Sequence, residues 1–326
     1  MIDISVVIPV YNALGDGGAM LEECVMGAAS HPCDSREPVS LELILVDDGS
    51  TDGSGEVCDR YEASLDGFCQ VRVIHQANRG LGGARNAGVK AARGRYVFFL
   101  DADDRILPDS LHMLLKAADT CDADIVCGTW TEADQPVRDV SPDSAPRMYG
   151  PRRFLRDTLY QTGGHPSAWA MIVKRPLAAR VPFAEHLWYE DLDWLPRLYL
   201  AAGSIVQTGI CCYYYRQHCG SFIHTWSPAR LDVLKVTEGV ERYVSAHAPE
   251  LLPAAADRRL SANFNIFGLA CKHGDNAVAD RCWQIIRRYR AASLFGRHVR
   301  LKNRAGAFLS YLGRPLLARV LTRYYS

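Results

Sequence analysis

The chain has 326 residues, 48% of them hydrophobic and 23% charged, and its 37 basic side chains balance its 37 acidic ones. That length can close a large α/β core without disulfides or a structural metal, and no run of about 18 apolar residues is present to make a membrane-spanning helix. The zero net charge hides a division: residues 281–326 hold eleven basic residues and no acid, which leaves 26 basic against 37 acidic residues, net −11, in residues 1–280.

The opening "MIDISVVIPVYN" starts at once on a strand pattern, with no basic region, apolar stretch and cleavage site in sequence, so secretion is not expected. Short β-rich runs then alternate with helical patterns, the signature of parallel strands joined by crossover helices. Strands are expected at Ile4–Val10, Leu41–Val46, Gln70–His75, Tyr96–Leu100 and Ala123–Thr129. Helices are expected at Ala19–Ser30, Ser54–Ser64, Gly83–Ala92 and Pro108–Thr120. Residues 131–150, rich in Pro, Asp and Ser, read as a surface loop. A helix near 151–161, a mixed segment, a helix over 190–202 and a strand over 204–216 follow, and everything from Ser227 onward reads as helix. Eleven cysteines in an odd, scattered set without CxxC point to a reducing cytoplasm. Cys211, Cys212, His218, Cys219 and His224 match no zinc spacing, so strand-edge residues are the plainer reading there.

Polar turns fall just after the strand ends, where open α/β sheets bind ligands. In "SVVIPVYN" a strand ends on Pro9, Tyr11 and Asn12, a ring that can stack and an amide that can hydrogen-bond. In "LILVDDGSTDGSGEVCD" Asp48, Ser50, Asp52, Gly53 and Asp59 occupy calcium-loop positions, but a strand precedes them where that motif needs a helix. Asp48 is better read as an acceptor for N–H groups of a bound base. In "NRGLGGARNAG" glycines lead into a helix with Arg85 near its first turn, a setting that favours a phosphate. "YVFFLDADDR" runs an apolar strand into Asp101, Asp103 and Asp104, where buried charge needs a compensating cation. Carboxylates spaced i, i+2 suit Mg²⁺ or Mn²⁺ shared with substrate phosphates. "WYEDLDW" places Glu190, Asp191 and Asp193 at a helix start, where acids either complement the dipole or supply a general base.

Taken in order, "SVVIPVYN", "VDDGSTDGS", "NRGLGGARNAG", "YVFFLDADD", "WYEDLDW" and "YYYRQHCGS" resemble glycosyltransferase family 2, the inverting enzymes of the GT-A fold, over about residues 3–222. The resemblance implies a Rossmann-like α/β fold, a mixed, mainly parallel sheet flanked by helices, and a helical extension after it. Residues 1–222 would form the transferase domain and 223–326 a basic amphipathic extension. It implies a nucleotide-sugar donor, by family habit a UDP-sugar, with Pro9, Tyr11 and Asn12 lining base and ribose, Asp48 on the base and Arg85 near the diphosphate. Asp101 would hold ribose hydroxyls or help with the metal, and Asp103 would contact an Mn²⁺ or Mg²⁺ ion bridging the phosphates. Asp191 would be the base, with Glu190 positioning it. Arg216 and Ser221 resemble a segment that closes over the diphosphate, with His218 as a further metal contact.

The C-terminal segment mixes its basic residues with Trp283, Leu294, Phe295, Phe308, Tyr311, Leu312 and Leu316. Such helices suit an anionic membrane surface, and with a transferase upstream the expected acceptor is a glycan or lipid-linked saccharide at the cytoplasmic leaflet, in surface polysaccharide or glycolipid synthesis; nucleic acid is not expected as a partner. The rival enzyme reading is a sugar nucleotidyltransferase, whose basic, glycine-rich N-terminal signature "VYNALGDGGAM" lacks. The rival non-enzyme reading, a membrane adaptor that retains the fold, leaves the clustered acids unexplained.

Overall fold

The computed structural model describes residues 1–34, 39–65, 69–132, 145–217 and 226–325. The chain divides into two compact units, one of Met1–Pro151 with Ser167–Ser221 and one of Arg152–Pro166 with Phe222–Ser326.

In the first unit, β1 (Ile4–Val10), β2 (Leu41–Asp47), β3 (Gln70–His75) and β4 (Tyr96–Phe99) lie parallel in the order β3-β2-β1-β4. Every residue of β1, β2 and β4 is buried, which is why these strands read as unbroken apolar runs rather than alternating ones. α1 (Ala19–Asp34), α2 (Ser54–Ser64), α3 (Gly80–Ala91) and α4 (Ser110–Cys121) lie between and after them in the chain. Register sets Val10 beside Asp47, Asp47 beside His75 and Val7 beside Phe99. The turns after β1, β2 and β4 therefore emerge on one edge of the sheet, which carries most of the expected site residues.

Beyond β4 the sheet turns mixed. β8 (Met171–Lys174) runs antiparallel between β4 and β6 (Ile125–Thr131), and β9 (Ile205–Tyr214) lies parallel to β6. Two short strands, β5 (Arg105–Ile106) and β7 (Arg147–Tyr149), pair antiparallel with β9. β8 and α6 (Arg175–Arg180) occupy what the sequence shows only as a mixed segment, because a four-residue buried strand has no period to detect. β7 falls inside the expected 131–150 loop, of which residues 133–144 lie outside the described residues.

The fit of α3 on β1 depends on Gly88. A Cβ there would stand 2.2 Å from Val7 Cγ1, and one on Gly82 would stand 2.3 Å from the Ala184 carbonyl. The helix can approach this closely only because both positions lack a side chain, and it starts at Gly80, three residues before the expected start.

The second unit is helical. It contains α5 (Pro151–Tyr160), the long α9 (Leu252–Lys272), and around it α8 (Asp232–His247), α10 (Asn276–Phe295), α11 (Leu301–Tyr311) and α12 (Arg314–Tyr324). Asp275 caps α10 by accepting from Val278 N. Buried Asp257 on α9 accepts from Ser293 Oγ at 2.6 Å and Asn303 Nδ2 at 2.9 Å, which ties α10 and α11 to it. Among the described residues no helix is long and apolar enough to cross a membrane.

Two glycine substitutions separate packing from chain entropy. Gly88→Ala is expected to lower unfolding free energy by about 1–3 kcal/mol because Val7 and the backbone must shift. Gly239→Ala, in α8 with nothing within 4 Å of the added carbon, is expected to raise it by roughly 0.5–1 kcal/mol. Urea unfolding of the two variants reads both signs, and equal stabilities would remove the argument for close α3–β1 packing.

Candidate active site

The floor of the site is laced by side chain to backbone bonds. β1 pairs with β4 only over Ile4–Val7, so Pro9 removes no ladder donor on that side. Asn12, in a left-handed conformation at φ 48°, accepts from Thr51 N at 2.8 Å through Oδ1, and its own N–H donates to Ser50 Oγ. Ala13 N and Leu14 N donate to Ser54 Oγ and Asp52 Oδ2, so the turns after β1 and β2 form one surface. Pro9 is buried, whereas Tyr11 is 55% exposed and presents its ring.

Asp48 is buried, and its Oδ1 accepts from Gln76 Nε2 at 2.7 Å and Arg79 N at 2.8 Å. The carboxylate expected to meet a base also fastens the β2 turn to the start of α3. Beside it, Asp47 accepts from Ser50 N and pairs with His75, whose other ring nitrogen meets Asp59. Hydrogen bonds to Asp47 and Asp59 hold the imidazole above its usual range.

Arg85, expected near a helix start as a guanidinium for the diphosphate, is only 2% exposed. Nη1 donates to Glu190 Oε1 at 2.5 Å and Nη2 to Asp101 Oδ1 at 2.9 Å. Its guanidinium carbon lies 5.7 and 5.5 Å from the ring centroids of Phe99 and Phe183. The close packing of α3 carries Arg85 inward, and the first compensating cation for the acidic loop is therefore an arginine of the chain itself. It joins the loop after β4 to the start of α7 (Glu190–Ala201).

Arg85 does not cancel the loop's charge. Burial, with Asp103 adding, keeps the Asp101 carboxyl above the usual carboxylate range against the opposing pull of Arg85. Asp104 is raised to about 8, by burial first and then by Asp101 and Asp103. Its Oδ2 accepts from the Tyr213 hydroxyl at 2.7 Å and its Oδ1 from Arg216 N at 2.8 Å, while Tyr213 Oη accepts from Asp101 N at 3.1 Å. Arg216 donates from Nε to the Asp103 carbonyl at 2.9 Å and from Nη2 to Glu23 of α1. Arg216, expected in a segment that closes over a diphosphate, braces the acidic loop through these bonds. His218 and Ser221 lie outside the described residues.

The three acids that open α7 divide their work. Glu190 is buried against Arg85. Asp193 makes a 2.6 Å i, i+4 ion pair with Arg197, the ordinary surface role. Asp191 accepts from Leu192 N at 2.6 Å and is raised to about 7, by burial first and Glu190 second, with Arg85 opposing. A helix start favours an ionised acid, so burial and like charge outweigh the dipole here.

The donor set of the acidic loop fits a hard divalent cation. Asp101 and Asp103 offer carboxylate oxygens next to negative charge that Arg85 leaves uncompensated. Among the described residues no group of three or more His, Cys, Asp or Glu side chains is placed to hold a metal, so this pair would need further oxygens from a ligand, as Mg²⁺ and Mn²⁺ accept from phosphates. Trp169 stacks on Tyr213 at 4.8 Å and Tyr215 at 5.5 Å and meets Trp130 edge-on, as part of an aromatic layer. Sequence reasoning missed Tyr213 and Glu23. Strand alternation could have put Tyr213 and Tyr215 on one face, whereas nothing in α1 marks Glu23.

Two substitutions test this bracing by urea unfolding. Arg85→Gln leaves two carboxylates without their buried cation and should cost about 3–5 kcal/mol. Tyr213→Phe strips partners from Asp104 and Asp101 N and should cost about 1–3 kcal/mol. Wild-type stability in Arg85→Gln would show that the guanidinium holds nothing.

Residues 5–180 match the family described as Glycosyl transferase family 2. Glycosyltransferase GlyG of Streptococcus pneumoniae is 30% identical over 232 residues, which cover 68% of this chain and 73% of GlyG. The putative glycosyltransferase EpsH of Bacillus subtilis is 28% identical over 231 residues, and there the chain spans 63% of the relative's length. S. aureus TarS 1–349, solved in complex with UDP-GlcNAc, shares the fold with a TM-score of 0.72 at 20% identity, covering 99% of this chain and 91% of that one. The mannosyltransferase PcManGT from Pyrobaculum calidifontis, in complex with GDP-Man and Mn²⁺, follows at 0.54 and 17%, covering 99% and 84%. With more than half of the chain matched and the mixed sheet of these structures reproduced, the chain belongs to glycosyltransferase family 2 and has the GT-A fold.

Proposed function

We propose that the protein is an inverting, metal-dependent hexosyl- or N-acetylhexosaminyltransferase. It moves a sugar from a UDP-sugar to a hydroxyl of a lipid-linked saccharide, in polysaccharide or glycolipid synthesis at the cytoplasmic face of a membrane. The observation that carries the reading is the Asp191 carboxyl, raised to about 7 and next to Glu190, which buried Arg85 joins to Asp101 of the acidic loop. A base is most effective with a pKa near the working pH. The fold neighbour TarS was solved with UDP and with UDP-GlcNAc, which supports the donor class. The basic C-terminal helices, free of acids from residue 281 onward, support an anionic membrane surface as partner.

In this mechanism the exposed Tyr11 ring stacks on the base, Pro9 and Asn12 shape the base and ribose pocket, and Asp48 fixes the turn that contacts the base. Asp101 meets the ribose, held in place by Arg85. Asp101 and Asp103 would hold an Mn²⁺ or Mg²⁺ ion, which when bound stabilises the charge on the departing diphosphate. Asp191 takes the proton of the acceptor hydroxyl as its oxygen bonds to the anomeric carbon. On the opposite face the bond from that carbon to the diphosphate oxygen breaks, and the nucleoside diphosphate leaves with the electron pair. One displacement inverts the anomeric centre. Glu190, anchored by its bond to Arg85, stands next to Asp191 and raises its affinity for the proton.

The test is a panel of UDP- and GDP-sugars with Mn²⁺, scored for nucleoside diphosphate release with and without extracted lipid acceptor. Asp191→Asn should lower kcat by about 10²–10⁴-fold with UDP binding retained, whereas Asp103→Ala should lose activity and metal-dependent donor binding together. Full activity in Asp191→Asn would overturn the assignment. Because only the ionised carboxylate accepts a proton, kcat/KM should rise with pH through about 7 and level off above it. A wild-type profile flat through this range would remove Asp191 as the base.

A further inference from the structure

The last two helices present apolar side chains where a helix on a folded core normally presents polar ones. α11 buries Asn303, Gly306, Ala307 and Ser310. It turns Leu301 (81% exposed), Phe308 (54%) and, at its C-cap, Leu312 (57%) outward. With Ala305 these fall at i, i+4, i+7 and i+11, a single stripe along the helix. α12 buries Leu317 and Leu321 and exposes Leu316, Val320 and Tyr324, four residues apart. Lys302 Nζ lies 4.4 Å from the Tyr324 ring centroid, so a cation sits between the two stripes. Arg319 and Arg323 are exposed beside them.

We propose that the outward stripes of α11 and α12 form an interfacial docking face that enters the headgroup–acyl boundary of an anionic bilayer, with Lys302, Arg319 and Arg323 at headgroup level. The inference takes its partner from the proposed function but goes beyond attraction by charge, since it gives the exposed leucines and Phe308 a place out of water. Charge complementarity selects the occupant. A second copy would set a segment with eleven cations and no acid against itself. A nucleic acid would meet the cations but leave the apolar stripe without a partner. An anionic bilayer satisfies both.

The experiment is flotation of the full chain with phosphatidylcholine vesicles, with and without phosphatidylglycerol, at low and high salt. Wild type should bind the phosphatidylglycerol vesicles and keep part of that binding at high salt. The variant Leu301→Ser/Phe308→Ser/Leu312→Ser should bind at least about tenfold more weakly, because apolar insertion is lost. Arg319→Glu/Arg323→Glu should lose the preference for phosphatidylglycerol. Both variants alter exposed positions, and a UDP-induced thermal shift in each confirms an intact nucleotide site, so loss of docking is read separately from failure of the transferase reading. Wild-type vesicle binding by the serine variant overturns the proposal. So does indifference of wild type to phosphatidylglycerol, a dimer that the serine variant dissolves, or DNA that displaces the vesicles.

Discussion

The site is organised around one buried guanidinium. Arg85 lies between Asp101 at the end of β4 and Glu190 at the start of α7, and its two terminal nitrogens bond to both acids. An isolated charge at such depth costs several kcal/mol, so the arginine and the two acids are stable only together. That mutual dependence fixes the separation of two segments almost ninety positions apart in the chain. One carries the Asp101 and Asp103 carboxylates proposed to hold a divalent cation, the other the Asp191 carboxyl proposed as the base. The same guanidinium pulls the neighbouring Asp191 toward ionisation while burial and Glu190 push the other way. The outcome near neutral pH is thus a property of the cluster rather than of a single side chain.

A second brace reaches the acidic loop from the other side. Tyr213 of β9 holds Asp104 and the Asp101 amide, and Arg216 holds the Asp103 carbonyl and Glu23. The loop is clamped between α3 and β9, with its acids oriented by neighbours that belong to the sheet and its helices. Acids of like sign would otherwise move apart, and holding them in place before a ligand arrives reduces the reorganisation left for the reaction. Arg85 and Arg216 thus support the charged loop through bonds to its carboxylates and backbone.

The parts legible in the sequence are those with a local signal. β1, β3 and α2 have the ends expected from apolar runs bounded by turn residues, and the ordered acidic motifs mark the edge of the sheet where they gather. What stayed hidden depends on the third dimension. The position of Arg85 near a helix start is the same whether that helix stands off the sheet or packs tightly on Val7, and Gly88 decides which. β8 is too short to show a period. Glu23 matters only because α1 passes the end of β9, and no spacing along the chain records that. For α11 the sequence shows an amphipathic mixture, but it does not show that the small and polar stripe faces inward.

That reversal changes the meaning of the neutral net charge. A balanced total suggests no long-range preference for an anionic surface, and residues 1–280 taken alone would be repelled by one, at −11. Charges in water are screened over about 8–10 Å at physiological salt, so a membrane responds to the side chains near it rather than to the sum over the chain. Near the surface each Lys or Arg contributes about 1 kcal/mol, an attraction that distant acids do not cancel. Segregating the cations into a segment without acids therefore gives a neutral protein a strongly cationic patch. Within that patch the apolar stripe of α11 adds what charge alone lacks, a hold on the bilayer that persists when salt screens the headgroups.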